Sequence, residues 1–156
     1  MKILDFVRPD QLVADLHGTD KPAILVELGT QLAHQIRAEA ADADPETLTK
    51  ILADRERLAS TAIGEGVAIP HGKMAIPRLI GSVGLSRAGI DFESMDGRPT
   101  HLFFVLVAPE NSTGIHLKAL ARISRLFKDP DFRNRLIVAK DAAEMFRVIA
   151  DEDAKY

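Results

Sequence analysis

The stretch Leu102-Phe103-Phe104-Val105-Leu106-Val107 decides the fold class, because its six apolar residues follow one another without a polar interruption. A strand with one solvated face alternates apolar and polar residues, whereas a strand covered on both faces reads as a continuous apolar run. The run is also far too short to cross a bilayer as a helix. It therefore predicts a central strand buried on both sides.

Helical and strand patterns alternate on either side of this run. Short apolar segments at 12–16 and 80–86 predict strands, and a third strand at 67–69 is expected to end at 70–72, where a proline occurs. The stretch 109–114 is expected to be a loop. Signals for helix starts follow, each an aspartate at a cap position: Asp20, Asp44, Asp129 and Asp141. Together they predict an α/β or α+β fold in which helices cover a sheet.

Composition restricts the function classes. The chain has 156 residues, 46% of them hydrophobic, with a formal net charge of −3 and no cysteine. This length suits one domain, here 1–156, with a core of about 12–149. The absence of cysteine excludes a disulfide framework, a thiol nucleophile and a thiolate metal site. No targeting signal or membrane-spanning run occurs, so we expect a cytoplasmic protein without membrane insertion.

The charge balance is uneven along the chain. The mildly negative net charge argues against a general nucleic-acid binder. Residues 116–140 nevertheless carry seven Lys or Arg against two acids. Such a run is either a solvated helix face or a surface for an acidic partner or a nucleic acid. The negative net charge favours a solvated helix face, so we expect no nucleic-acid partner.

Arg55 departs from the pattern of its helix. Leu48 and Leu52 mark a buried stripe, and Arg55 takes the next slot, seven residues after Leu48. Arginine is rarely buried unpaired. One interpretation is that the aliphatic part of the Arg55 side chain packs at the edge of the core while its guanidinium group lies in water. The other is a guanidinium in a cleft, ready to bind an anion.

Two histidines are candidates for chemistry. His71 lies between a proline that fixes the backbone and Gly72, which would let another molecule come close. Alternatively, it is a polar turn residue. His116 begins the apolar stripe of its helix, either as a satisfied histidine at the core edge or as a second imidazole facing the cleft of His71. Lys73 adds positive potential nearby or is simply solvated.

A metal site is not expected. The other histidines, at 17, 34 and 101, have turn, mid-helix or strand positions, and no two of the five show the i, i+4 spacing of a helical zinc pair. No G-x-S-x-G elbow and no P-loop occurs either. We therefore expect no metal and no cofactor.

Residues 60–73, STAIGEGVAIPHGK, closely resemble the active-site signature of phosphotransferase-system EIIA domains of the mannitol/fructose type, which include the nitrogen-regulatory EIIA proteins. The resemblance extends from about Leu12 to about Ile149. Further matching residues are Arg55-Glu56, Gly97-Arg98-Pro99, Ala108-Pro109 and His116-Leu117. Alanine at 59 and 62 stands where family members often have glycine.

The resemblance implies a mixed β-sheet with helices on both faces. It implies that His71 accepts a phosphoryl group, as tele-phosphohistidine, from the phosphohistidine of an HPr-like phosphocarrier (NPr). It places Arg55 around the phosphate to stabilise its oxygens and His116 to orient it. A further set of residues is expected beside the phosphate with weaker support: Ser60, Thr61, Gly72 and Lys73.

The resemblance also leaves alternatives for the physiological role. A free-standing chain of this kind is similar to the nitrogen-regulatory branch, whose members bind regulatory targets such as potassium transport proteins or sensor kinases. A sugar-specific (fructose or mannitol) EIIA subunit that passes phosphate to an EIIB is the second reading. A binding module that has kept the fold and lost phosphate exchange is the third. Oligomeric state stays open.

Overall fold

The computed structural model describes residues 1–156, which form one mixed sheet of six strands together with five α-helices. The strands are β1 (Leu12–Val13), β2 (Ala62–Gly64), β3 (Val67–Ala68), β4 (His71–Met74), β5 (Ile80–Ile90) and β6 (Thr100–Pro109). The helices are α1 (Lys21–Ile36), α2 (Pro45–Leu58), α3 (Thr113–Leu126), α4 (Pro130–Ile137) and α5 (Ala142–Asp153). Two short 3-10 helices, Ile3–Asp5 and Pro9–Gln11, precede β1. No helix has the length and apolar character needed to cross a membrane.

The predicted central strand is confirmed. The order of the sheet is β1-β5-β6-β3-β2, with β4 also paired to β6, so β6 has neighbours on both sides. Leu102, Phe104 and Leu106 of β6 pack into a core shared with α3, α4 and α5. The intervening residues Phe103 and Val105, with Val107, pack into a second core with α1 and α2. Helices on both faces therefore explain why the run needs no polar residue, and the α/β class is confirmed.

The predicted strand end at 70–72 is wrong. Pro70 has no N–H and interrupts the ladder, but the chain stays beside β6, where the amide of Leu106 donates to the Pro70 carbonyl at 3.0 Å. Pairing resumes at His71, opposite Leu106, and runs parallel along β4. His71 therefore begins a strand instead of following one.

Two other boundaries differ from the expectation. Helix α3 begins at Thr113, inside the predicted loop 109–114. A short strand, β2, also precedes β3 in a stretch with no strand pattern of its own. The two are joined by Gly64, Glu65 and Gly66, which all have positive φ, a conformation that glycine adopts at little cost. This tight turn is what lets β2 pair with β3.

The predicted helix starts are confirmed by their caps. The carboxylates of Asp20 and Asp44 accept from the amides of Ala23 and Thr47 at 2.9 and 2.7 Å. Asp129 and Asp141 cap α4 and α5 in the same way. Each bond satisfies an amide that has no partner within the helix.

Candidate functional site

The fold brings His71 and His116 together. His71 is the first residue of β4, while His116 lies in the first turns of α3, the helix that follows β6. Their ring centroids are 5.5 Å apart, with the ring planes inclined by 59°. Both elements are attached to β6, so the central strand sets the distance between the two imidazoles.

The backbone selects one nitrogen of His71 for chemistry. Nδ1 lies 2.7 Å from the carbonyl oxygen of Ile69. A carbonyl oxygen only accepts, so Nδ1 carries the hydrogen and Nε2 of the neutral ring keeps its lone pair. Burial lowers the pKa of His71, against the opposing effect of the Ile69 bond, and the charge of Arg55 lowers it further, while that of Glu56 raises it. At neutral pH the ring is neutral and Nε2 is a nucleophile.

His116 is also neutral at neutral pH. Its pKa is lowered to about 4, mainly by burial and then by the charges of His71 and Lys73. Only 5% of the residue is exposed, and its Nδ1 has no hydrogen-bond partner. Buried polar atoms are nearly always paired, and an unpaired one carries a free-energy penalty. His116 therefore has unused hydrogen-bonding capacity beside His71.

Arg55 is partly buried, as the first interpretation predicts, and its binding of an anion stays a prediction. The residue is half-buried at the end of α2, and one guanidinium nitrogen, Nη1, donates to the carbonyl of Ala59 at 2.8 Å. No carboxylate lies within ion-pair distance of it. Its charge is close enough to His71 to lower the pKa of that histidine. A guanidinium has five N–H donors, so most of them are free for an anion here.

The alanine at position 59 has a simple explanation. Ala59 follows α2 with φ −173° and ψ 150°, an extended conformation that any residue adopts. Glycine is therefore not required at this position.

Gly72 and Lys73 both contact neighbouring helices of the fold. A Cβ on Gly72 would overlap Cγ2 of Ile51 in α2. The glycine therefore permits the close approach of a helix, and its place beside the phosphate stays a prediction. Lys73 Nζ donates to the hydroxyl oxygen of Thr113, at the start of α3, at 3.1 Å. This bond joins the strand that carries His71 to the helix that carries His116.

The hydroxyls of Ser60 and Thr61 are engaged inside the protein. Ser60 Oγ donates to the carbonyl of Phe92 at 2.7 Å, and Thr61 Oγ1 donates to the carboxylate of Glu56. In this geometry their protons are not free for a phosphate, so their role as phosphate donors stays a prediction.

Glu56 matches the family in sequence, but no role was assigned to it from the sequence. It is buried beneath the site, with 7% of its surface exposed. The four-residue spacing of Leu48, Leu52 and Glu56 was the available signal, since it puts a carboxylate on the buried stripe of α2.

The basic stretch 116–140 is partly neutralised within the fold. Arg122 pairs with Asp153 at 2.6 Å, and Arg135 pairs with Asp151 at 3.1 Å. Arg133 donates to the carbonyl of Phe127. The excess positive charge is thus smaller on the surface than along the sequence.

Three large apolar side chains are exposed on α2 and α3, the helices that carry Arg55 and His116. Ile115 and Leu117, on either side of His116, are 50% and 60% exposed, and Leu58, at the end of α2, is 81% exposed. Such exposed apolar groups favour contact with another protein. A nucleophilic imidazole, a guanidinium and a neutral second imidazole can together receive and hold a phosphoryl group. No cluster of three or more His, Asp or Glu side chains has metal-binding geometry.

Comparison with known proteins agrees with this chemistry. The profile of the family described as "Phosphoenolpyruvate-dependent sugar phosphotransferase system, EIIA 2" matches residues 5–152. The nitrogen regulatory protein of Bradyrhizobium diazoefficiens is 40% identical over 151 residues, which span 96% of this chain and 95% of that protein. The crystal structure of nitrogen regulatory protein IIA-Ntr from Neisseria meningitidis superposes with a TM-score of 0.85 at 30% identity, covering 93% of this chain and 97% of that one.

A sugar-specific protein is also similar to the chain. The fructose-specific EIIABC component of Bacillus subtilis is 31% identical over 156 residues, and the chain spans 24% of its length. The resemblance read from residues 60–73, including its likeness to nitrogen-regulatory members, is confirmed. The chain belongs to the EIIA type 2 family of the phosphoenolpyruvate-dependent sugar phosphotransferase system.

Proposed function

We propose that this protein is a phosphocarrier that accepts a phosphoryl group on Nε2 of His71 from the phosphohistidine of an HPr-like carrier (NPr). One observation carries the proposal: the Ile69 carbonyl holds Nδ1 of His71, so that Nε2 remains as the nucleophile beside Arg55 and His116. The apolar side chains of Leu58, Ile115 and Leu117 provide the surface on which the carrier docks.

The transfer requires no proton acceptor. The lone pair of His71 Nε2 attacks the phosphorus, the bond from phosphorus to the donor nitrogen breaks, and the donor ring regains its lone pair. His71 keeps its Nδ1–H and becomes a positively charged phosphohistidine, whose charge the Ile69 carbonyl stabilises. Phosphoryl transfer depends mainly on positioning and charge neutralisation. Arg55 and His116 serve these ends by donating to the phosphate oxygens.

We assign the protein to the nitrogen-regulatory branch. The nitrogen regulatory protein from Bradyrhizobium is 40% identical to this chain, whereas the fructose-specific relative is 31% identical. In this role the chain acts in the cytoplasm, and its phosphorylation state is read by targets such as potassium transport proteins or sensor kinases. The 31% identity to the fructose-specific protein supports the second candidate, a sugar-specific EIIA that passes phosphate to an EIIB.

The test is phosphorylation by purified components. The protein is incubated with labelled phosphoenolpyruvate, enzyme I and an HPr-type carrier. We expect acid-labile, alkali-stable label that is lost in His71→Ala and kept in His34→Ala, which changes an exposed histidine of α1. Absence of label with carriers that are active on another EIIA would contradict the proposal and favour a binding module. Chase with an EIIB separates the two branches, since only the sugar-specific candidate transfers its label efficiently.

Arg55→Ala tests the role of the guanidinium. A charge-assisted hydrogen bond is worth about 1.5–3 kcal/mol, so losing it in the transition state slows transfer about 10- to 150-fold. Arg55 has no acidic partner within the protein, so the fold should persist, as circular dichroism would show. Unchanged transfer kinetics would remove this role from Arg55.

A further inference from the structure

We propose that Glu56 is a positioning residue that acts through Thr61 on both Arg55 and His71. The inference rests on the proposed function, because it concerns the groups that hold the phosphate. It assigns a task to a buried carboxylate that touches neither His71 nor the space for a phosphate.

Glu56 is anchored on both of its oxygens. Oε1 accepts from the backbone amide of Thr61 at 3.1 Å and forms an ion pair with Lys21 Nζ at 3.0 Å, while Oε2 accepts from the Thr61 hydroxyl. Lys21 is itself held in place, since its ammonium lies 4.6 Å from the ring centroid of Phe92 and its side chain is only 13% exposed. A buried carboxylate is tolerated when it is paired and hydrogen-bonded in this way. The contacts therefore fix Thr61 relative to α2.

One route leads from Thr61 to Arg55. The segment 59–61 connects α2 to β2 and is held at both ends by neighbouring residues of the helix. Arg55 donates to the carbonyl of Ala59, and Glu56 accepts from Thr61. Fixing Thr61 thus fixes the carbonyl that holds the guanidinium of Arg55.

A second route leads from Thr61 to His71. The carbonyl of Thr61 accepts from the amide of Ile69 at 3.0 Å, and the carbonyl of Ile69 accepts from Nδ1 of His71 at 2.7 Å. The chain of hydrogen bonds therefore runs from Glu56 through Thr61 and Ile69 to the imidazole. Groups that orient the residues contacting a ligand tune their geometry in this manner.

The test compares Thr61→Val with Thr61→Ser. Valine has the shape of threonine but lacks the hydroxyl donor, whereas serine keeps it. We expect Thr61→Val to slow phosphoryl acceptance about tenfold, as loss of such a supporting bond typically does, and Thr61→Ser to stay close to the unmodified protein. Glu56→Gln, which cannot pair with Lys21 as a charge, should resemble Thr61→Val. Urea unfolding of each variant confirms that the protein assayed is folded.

Two readouts separate positioning from a structural role. The first is a double-mutant cycle: in an Arg55→Ala background, Thr61→Val should slow transfer by a smaller factor than it does in the unmodified protein, because one of the two groups that Thr61 positions is already absent. The second is nitrogen NMR of the His71 ring in the unphosphorylated protein. Thr61→Val should convert the Nδ1–H form into a mixture of both tautomers, while Thr61→Ser should not.

The second readout does not depend on phosphorylation. If the unmodified protein takes up no label, the proposed function fails, and the ring tautomer still decides the inference. The positioning role of Glu56 is overturned if Thr61→Val leaves the tautomer of His71 unchanged and its effect on transfer is additive with that of Arg55→Ala. If no label is taken up, an unchanged tautomer in Thr61→Val is enough to overturn it. A tautomer mixture, or a non-additive cycle, supports it.

Discussion

Replacing Gly72 by alanine tests how closely α2 approaches the strand that carries His71. The new methyl would overlap Cγ2 of Ile51. Because Ile51 is β-branched and lies within a helix, one χ1 rotamer dominates, and Cγ2 cannot swing away. The backbones of α2 and β4 must therefore separate.

Overpacking of this kind costs about 1–3 kcal/mol of unfolding free energy. For a chain of this length each kcal/mol lowers Tm by about 2–4 °C, so Gly72→Ala should lower Tm by about 2–12 °C. Urea unfolding followed by circular dichroism measures the free energy directly.

The matched control removes the clashing methyl instead. Ile51→Ala deletes Cγ2, and in the double variant the alanine at 72 occupies part of the space so vacated. We expect the double variant to be more stable than the sum of the two single changes predicts, by about 1 kcal/mol or more. Additive changes, or a Gly72→Ala protein whose stability stays within about 0.5 kcal/mol of the original, would refute the steric argument.

Three further predictions concern the site and its supporting helices. His116, with its pKa lowered to about 4, should titrate in NMR spectra well below the ordinary histidine value of 6.5. Because the unfolded chain takes up this proton near pH 6.5, the stabilising contribution of neutral His116 is complete above that pH and is lost as the pH falls from 6.5 towards 4. A His116→Gln protein whose stability has the same pH profile would contradict this. Thr113→Val removes the hydroxyl that accepts from Lys73. It should slow phosphoryl acceptance by no more than about fivefold, the rate equivalent of about 1 kcal/mol. If Thr113→Val slows acceptance equally in a Lys73→Met background, the hydrogen bond is not the cause. Asp44→Ala removes the cap of α2 and should lower the unfolding free energy in urea by about 1 kcal/mol, an expectation that an unshifted midpoint would disprove.

Much of the architecture was predictable because its signals are local. The continuous run 102–107 required burial on both faces, and the aspartate caps at the starts of four helices depend only on residues within one helical turn. The stretch 60–73 was equally informative, since its order of residues alone supported the family.

The details of the site depended on contacts between distant parts of the chain. Whether the backbone continues as a strand beyond Pro70 is decided by β6, which offers it a partner more than thirty residues later. The same register brings His116 beside His71. No pattern within a window of ten residues contains that information.

The sequence by itself therefore determined the fold class, the helix starts and the identity of His71 as the candidate nucleophile, because periodicity, capping and a contiguous motif act over short distances. Tertiary structure alone decided that His116 lies beside His71, what Gly72 accommodates and which carboxylate supports Thr61. These depend on the direction of individual donors and acceptors, which is set only when helix, turn and strand are packed together.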